Sequence, residues 1–68
     1  MSAQRRPPVS QDLNGMLEPG MMVRHPDAPD WGLGQVQSNI GSRITVNFEE
    51  VGKQVIDGTR ILLLPVFE

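Results

Sequence analysis

The stretch Arg43-Ile44-Thr45-Val46-Asn47-Phe48-Glu49 decides the fold. It alternates polar and apolar residues without a fault. Ile44, Val46 and Phe48 face one way; Arg43, Thr45, Asn47 and Glu49 face the other. Successive side chains of a strand point to opposite faces, so this is a half-buried strand with one wet face.

Turn signals bracket it on both sides. Gly41-Ser42 precedes it, and before that Gln35-Val36-Gln37-Ser38 begins a strand that runs toward Ile40. Gly52 marks the next reversal, followed by a strand over Lys53-Gln54-Val55-Ile56-Asp57. Gly58-Thr59-Arg60 turns again, and Ile61 to Phe67 is a last apolar strand. Toward the N-terminus, Glu18-Pro19-Gly20 is a turn. Met21-Met22-Val23-Arg24-His25 is a short strand ended by Pro26. Residues 26 to 32 form a loop with two prolines and two aspartates.

Five short strands with closely spaced turns and no amphipathic helix predict an all-β domain. A small sheet hides its edges best by bending onto itself. The expectation is a five-stranded SH3-like or Tudor-like barrel over residues 19–68. Its core is Val23, Val36, Ile44, Val46, Phe48, Val55 or Ile56, Leu62 and Leu64. Residues 1–18 are rich in Ser, Gln and Pro, and Pro7-Pro8 blocks helix. They are expected to be a flexible N-terminal arm.

Composition narrows the function. At 68 residues the chain forms one domain with a modest core, a poor scaffold for a substrate pocket. There is no cysteine, hence neither a disulfide nor a thiolate metal site, and the one histidine falls short of the usual zinc sets. The net charge is -2 and the pI about 5.2, without the basic excess of nucleic-acid binders. Neither a signal peptide nor a membrane-spanning run is legible, so the expected location is cytoplasmic. No catalytic residue, metal or cofactor is expected.

The line Gly20-x-x-Val23-x-His25-Pro26, then Trp31-Gly32-x-Gly34-x-Val36, Val46-x-Phe48, Gly52-Lys53 and a closing Leu resembles a recurrent bacterial Tudor-like module. It is similar to the C-terminal Tudor-like domain of UvrD/PcrA-type DNA repair helicases. It is more similar still to short stand-alone bacterial proteins of unknown function. The resemblance covers residues 20 to about 66. It implies a binding module that associates with the transcription or transcription-coupled repair machinery, RNA polymerase above all. The chain departs from the helicase tail at Asp27-Ala28-Pro29-Asp30, which lengthens the loop and makes it acidic. The helicase motor is absent, since no phosphate loop G-x-x-x-x-G-K-[ST] occurs.

Residue by residue, the loop offers a surface rather than a reaction centre. His25 ends a strand, and its ring is expected to bond loop backbone. A general base would also need a nucleophile and an orienting acid. Asp27 and Asp30 lack the further ligands of a calcium loop and are expected to cap turns or form an acidic rim. Trp31 has two readings, a lid on the open end of the barrel and an interface anchor, which one ring can combine. Gly32 and Gly34 supply positive φ or a bulge where a strand bends. The expected partner-binding residues are Trp31, Asp27, Asp30 and His25, with Arg24 and Arg43 on neighbouring strands.

A second reading is a nucleic-acid- or ribosome-associated protein using Arg24, Arg43, Lys53 and Arg60. Six acids against four bases in the folded part, and only three aromatic residues, disfavour it. The apolar end raises a further question. With Leu62 and Leu64 inside, Ile61, Leu63, Pro65 and Phe67 face outward. Either Leu13, Met16 and Leu17 of the arm cover them or a second copy does, so the chain is expected to be a monomer or a weak homodimer.

Overall fold

Turn chemistry sets where the chain reverses. The computed structural model describes residues 14–67. Five strands follow in order: β1 (Met22–Arg24), β2 (Gly34–Ile40), β3 (Arg43–Phe48), β4 (Gly52–Asp57) and β5 (Leu64–Val66). One 3-10 turn, Pro29–Trp31, lies between β1 and β2. All neighbours run antiparallel in a single sheet of order β4-β3-β2-β1-β5. The all-β class and its five strands stand as expected. Closure into a barrel would need a ladder between β4 and β5, and the pairings of the described residues do not include one.

The β2–β3 hairpin turns in two residues, with Ile40 opposite Arg43. Gly41 and Ser42 both take positive φ, 53° and 70°. That is the type I′ geometry whose twist suits a two-residue hairpin. Between Val36 and Ser38, β2 carries one residue more than β3. This bulge reverses the parity of the strand. Ile40 therefore turns out, 74% exposed, while Asn39 faces the same side as its buried partner Ile44.

The core is Leu17, Val23, Val36, Ile44, Val46, Phe48, Ile56 and Leu63, with Met21, Trp31 and Ile61 packed against it. Ile56 fills the position left open between Val55 and Ile56, because it pairs with the inward Ile44. The expected core positions Leu62 and Leu64 are both exposed, and Leu63 is buried instead. The reason is register. Leu64 lies opposite the exposed Arg24 and Pro65 opposite the buried Val23, so Leu64 faces out. Ile61–Leu63 is not strand. It is coil, held by a bond from the Leu63 amide to Asn14 Oδ1 at 3.0 Å.

The packed unit also begins earlier than residue 19. Asn14 and Leu17 are 4% and 3% exposed. Asn14 Nδ2 donates to the carbonyls of Gly58 at 3.1 Å and Ile61 at 2.8 Å. Leu17 belongs to the core together with Leu63, whereas Met16 and Phe67 are exposed, so the cover expected from the arm over residues 61 to 67 is not made as a whole. Leu13 and the rest of the expected arm, residues 1–13, lie outside the described residues. Among the described residues no helix is long and apolar enough to cross a membrane.

Candidate functional site

The corner between β1 and β2 is built by alternation and then fixed by hydrogen bonds. Val23 is buried, so Arg24 points out and His25 turns back in, 9% exposed. The Asp27 amide donates to His25 Nδ1 at 3.1 Å. That nitrogen is thus an acceptor, and the neutral ring carries its proton on Nε2. The expected bond from the ring to loop backbone is present. The chain then coils tightly. Ala28 N–H donates to the His25 carbonyl at 3.3 Å, Trp31 N–H to Ala28 at 3.0 Å, and Gly32 N–H to Pro29 at 3.2 Å.

This coil is strapped to the turn between β3 and β4. Glu50 N–H donates to the Trp31 carbonyl at 3.0 Å, and Glu49 N–H to the Leu33 carbonyl at 2.8 Å. Leu33 N–H returns a bond to Glu49 Oε1 at 3.0 Å. Backbone and side chain of Glu49 therefore hold the two loops together.

Three rings meet where the loops join. Trp31 lies 4.9 Å from His25, tilted by 58°, and 5.2 Å from Phe48, edge-on at 66°. His25 and Phe48 are 6.5 Å apart. Edge-on aromatic contacts of this kind add to simple burial. Phe48 is buried and Trp31 half-buried. Trp31 is accordingly a lid on the Phe48 end of the core, with part of its indole facing solvent.

Both glycines of the corner serve this geometry, for different reasons. Gly32 takes φ 79°, and a Cβ there would sit 2.8 Å from Glu49 Oε1. Gly34 needs no positive φ. A Cβ there would lie 2.5 Å from Val46 Cγ1 and 2.7 Å from the Phe48 ring, so its role is close approach.

His25 and Trp31 are brought together, Asp27 and Asp30 stand exposed in the same short loop, and Arg24 lies beside it on the outward side of β1, opposite Leu64. Arg43 does not. It pairs with Ile40 and Asp57 at the far end of the sheet. Phe48, opposite Gly34, is five residues along β3 from Arg43, about 17 Å at the rise of a strand. Ser38 and Ser42 lie toward the Arg43 end as well, away from His25.

The basic residues form no common patch: Arg24 stands beside the corner, while Arg43 and Arg60 both adjoin Asp57 at the far end of the sheet. Lys53 lies opposite Asn47 on β4. Arg60 pairs with Asp57 at 3.7 Å, the one ion pair among the described residues. Sequence reasoning missed Glu49 and Glu50. They are exposed, and the turn that carries them is bonded to the Trp31 loop, with Glu49 Oε1 taken by the Leu33 amide. Nothing in the chain announces that contact between distant turns. Among the described residues no three His, Asp or Glu side chains gather as a metal site requires.

No curated protein and no solved structure matches the chain. A family model does, over residues 17–66, which begins at the buried Leu17 and takes in the whole corner and all five strands. On that match the chain belongs to the family described as protein of unknown function (DUF3553).

Proposed function

We propose that the protein is a non-enzymatic protein-binding module and that its contact surface is the corner of residues 25–33 together with the turn 49–51. The observation that supports this is the half-buried Trp31, steadied by His25 and Phe48 in a loop that carries the exposed Asp27 and Asp30 and is bonded to the turn of Glu49 and Glu50. A fixed indole brings large contact area with little entropy to lose, which is why Trp is enriched among residues that dominate interfaces. The carboxylates suit a partner that offers Lys or Arg, and an exposed indole face can take a cation directly.

The partner class comes from the resemblance to the helicase Tudor-like tail: the transcription machinery, RNA polymerase first, in the cytoplasm. A surface this small gives modest affinity. Of the four basic residues only Arg43 and Arg60 share a neighbourhood, about the carboxylate of Asp57 that offsets them, which lends no support to a nucleic-acid reading.

The test is a titration of purified bacterial RNA polymerase against the protein and two variants. Asp27→Lys with Asp30→Lys reverses the rim without touching the rings, and Trp31→Phe trims the indole. Each should weaken binding at least tenfold with the circular dichroism unchanged. Equal binding by all three would dismiss this surface, and no binding of the parent protein would dismiss polymerase as the partner.

A further inference from the structure

We infer that two copies of the chain pair through the outer edge of β4, antiparallel and centred on Val55, to make one continuous sheet across a two-fold axis. This goes beyond the corner surface and does not depend on it.

The two outer strands differ. β5 is three residues long and carries Pro65, which lacks an amide proton; short strands and proline both blunt an edge. β4 has six residues, no proline and a regular register along its whole length. Among the described residues nothing pairs with its outer side.

Which groups face that side follows from the hairpin. In a two-residue turn the flanking pair, Ile40 and Arg43, exchanges hydrogen bonds, so the backbone groups of Arg43 point to β2. Alternation then points those of Ile44, Val46 and Phe48 to β4. The Glu49 amide, bonded to Leu33 on the β2 side, has the parity this requires. Ile56, Gln54 and Gly52 answer β3, and Lys53, Val55 and Asp57 turn their N–H and C=O groups to the open edge. The Asp57 carbonyl is already taken by the Arg60 and Ile61 amides; its N–H is not among the internal bonds of the turn.

The side chains of these three residues share the outward face, where Val55 is 61% exposed. Directly opposed residues of an antiparallel pair lie on the same face. With Val55 on the axis, Val55 meets Val55 of the second copy. Lys53 then stands opposite Asp57, and Asp57 opposite Lys53. Centring on Gln54 or Ile56 instead would set Val55 against a charged residue and lose the match. Charges on an edge usually prevent pairing. Here they have opposite sign and equal distance from Val55, so the edge repels other edges but complements itself. Asp57 Oδ1 is occupied by Thr59, while among the described residues Oδ2 has only the exposed Arg60 at 3.7 Å and can receive Lys53. Backbone bonds would run between the two Val55 residues in both directions and from each Asp57 amide to the opposite Lys53 carbonyl.

Sedimentation of the full chain from micromolar to millimolar concentration tests this. The mass should rise from 7.5 kDa toward twice that value. Lys53→Glu sets Glu against Asp at both ends and should weaken the dimer at least tenfold. Val55→Pro removes an edge-facing amide that β3 does not use, and should leave only monomer with the spectrum of a folded sheet. Should Val55→Pro unfold, Lys53→Glu, which alters no backbone bond, decides. Mixing Lys53→Glu with Asp57→Lys should restore a dimer that neither variant forms alone. Monomer at every concentration, or a dimer indifferent to Lys53→Glu, would overturn the proposal. So would protection of the Val55 amide from exchange in a monomer, which would mean that the chain's own residues 1–13 cover the edge. A mass that rises only when another protein is added would overturn it too, in favour of a foreign strand.

Discussion

Asn39 on β2 donates from Nδ2 to the carbonyl of Asn14 at 2.8 Å and to that of Leu17 at 3.1 Å. Asn14 in turn uses its own amide on Gly58, Ile61 and Leu63. Two asparagines thus tie the lead-in to the middle of the sheet and to the connection between β4 and β5. The bulge at Val36/Ser38 is what makes this possible, since without it Asn39 would face solvent and Ile40 the core.

Asn14→Ala should therefore be among the most costly single changes. It strands the Leu63 amide and two carbonyls in a site Asn14 leaves only 4% exposed. Unpaired buried groups cost about 1–3 kcal/mol each when solvent cannot reach them, so a loss of about 3 kcal/mol is expected. Urea unfolding at neutral pH measures it. Asn14→Asp should be no better, because its oxygens would face the two carbonyls. A loss under about 1 kcal/mol for both would show that the lead-in is not part of the cooperative unit.

Gly34→Ala tests the seam beneath Trp31. The added methyl meets Val46 Cγ1 and the Phe48 ring well inside contact distance, and both are buried with nowhere to move. Overpacking of this kind costs about 1–3 kcal/mol. The indole leans edge-on against Phe48, so displacement of that ring should also shift Trp31 emission to the red. Lost stability with unchanged emission would mean that the Phe48 ring stays and the backbone gives way instead.

How far the sequence carries depends on how local the signal is. β3 was legible residue by residue because one face of it is wet and the other dry. The turns at 41–42 and 58–60 were legible because glycine marks them. The last apolar run was not: Ile61-Leu62-Leu63-Leu64 has no alternation to set its parity, so the burial of Leu63 rather than Leu62 and Leu64 is decided by Arg24 and Asn14 from elsewhere in the chain. Asn14 and Asn39 look like solvated loop residues until their partners are known. In the same way Asp27, Asp30 and Trp31 could be read as a corner, but the contribution of Glu49 and Glu50 depends on a contact between turns far apart in sequence.

Ser42 is the one residue other than glycine with positive φ among the described residues. The left-handed region costs an ordinary residue about 1–2 kcal/mol, part of which glycine returns through its larger unfolded entropy. Ser42→Gly should then raise stability by about 0.5 kcal/mol, a few degrees in Tm for a domain of this size. The Ser42 carbonyl, which accepts from the Gly58 amide at 2.7 Å, is kept. Thermal melts of the two proteins side by side check it, and a lower Tm for the glycine variant would mean that the hydroxyl has a role of its own.

Asp57 gives the sheet a pH dependence with a definite sign. Its carboxylate accepts from the Thr59 hydroxyl at 2.6 Å and the Thr59 amide at 3.0 Å. These bonds, with a lesser contribution from Arg60, hold the carboxyl below its ordinary value of 3.8. The folded state thus favours the ionised form. The stability this confers is complete above the ordinary value and is lost as pH falls through the lower folded-state value. Asp57→Asn should melt below the parent protein at pH 7, and the gap should close as the pH is taken down past that range. The group is exposed, so added salt should trim only the Arg60 share and leave the part due to Thr59. A gap that stays constant down to the acid limit would show that the carboxylate acts through the shape of the turn and not through its charge.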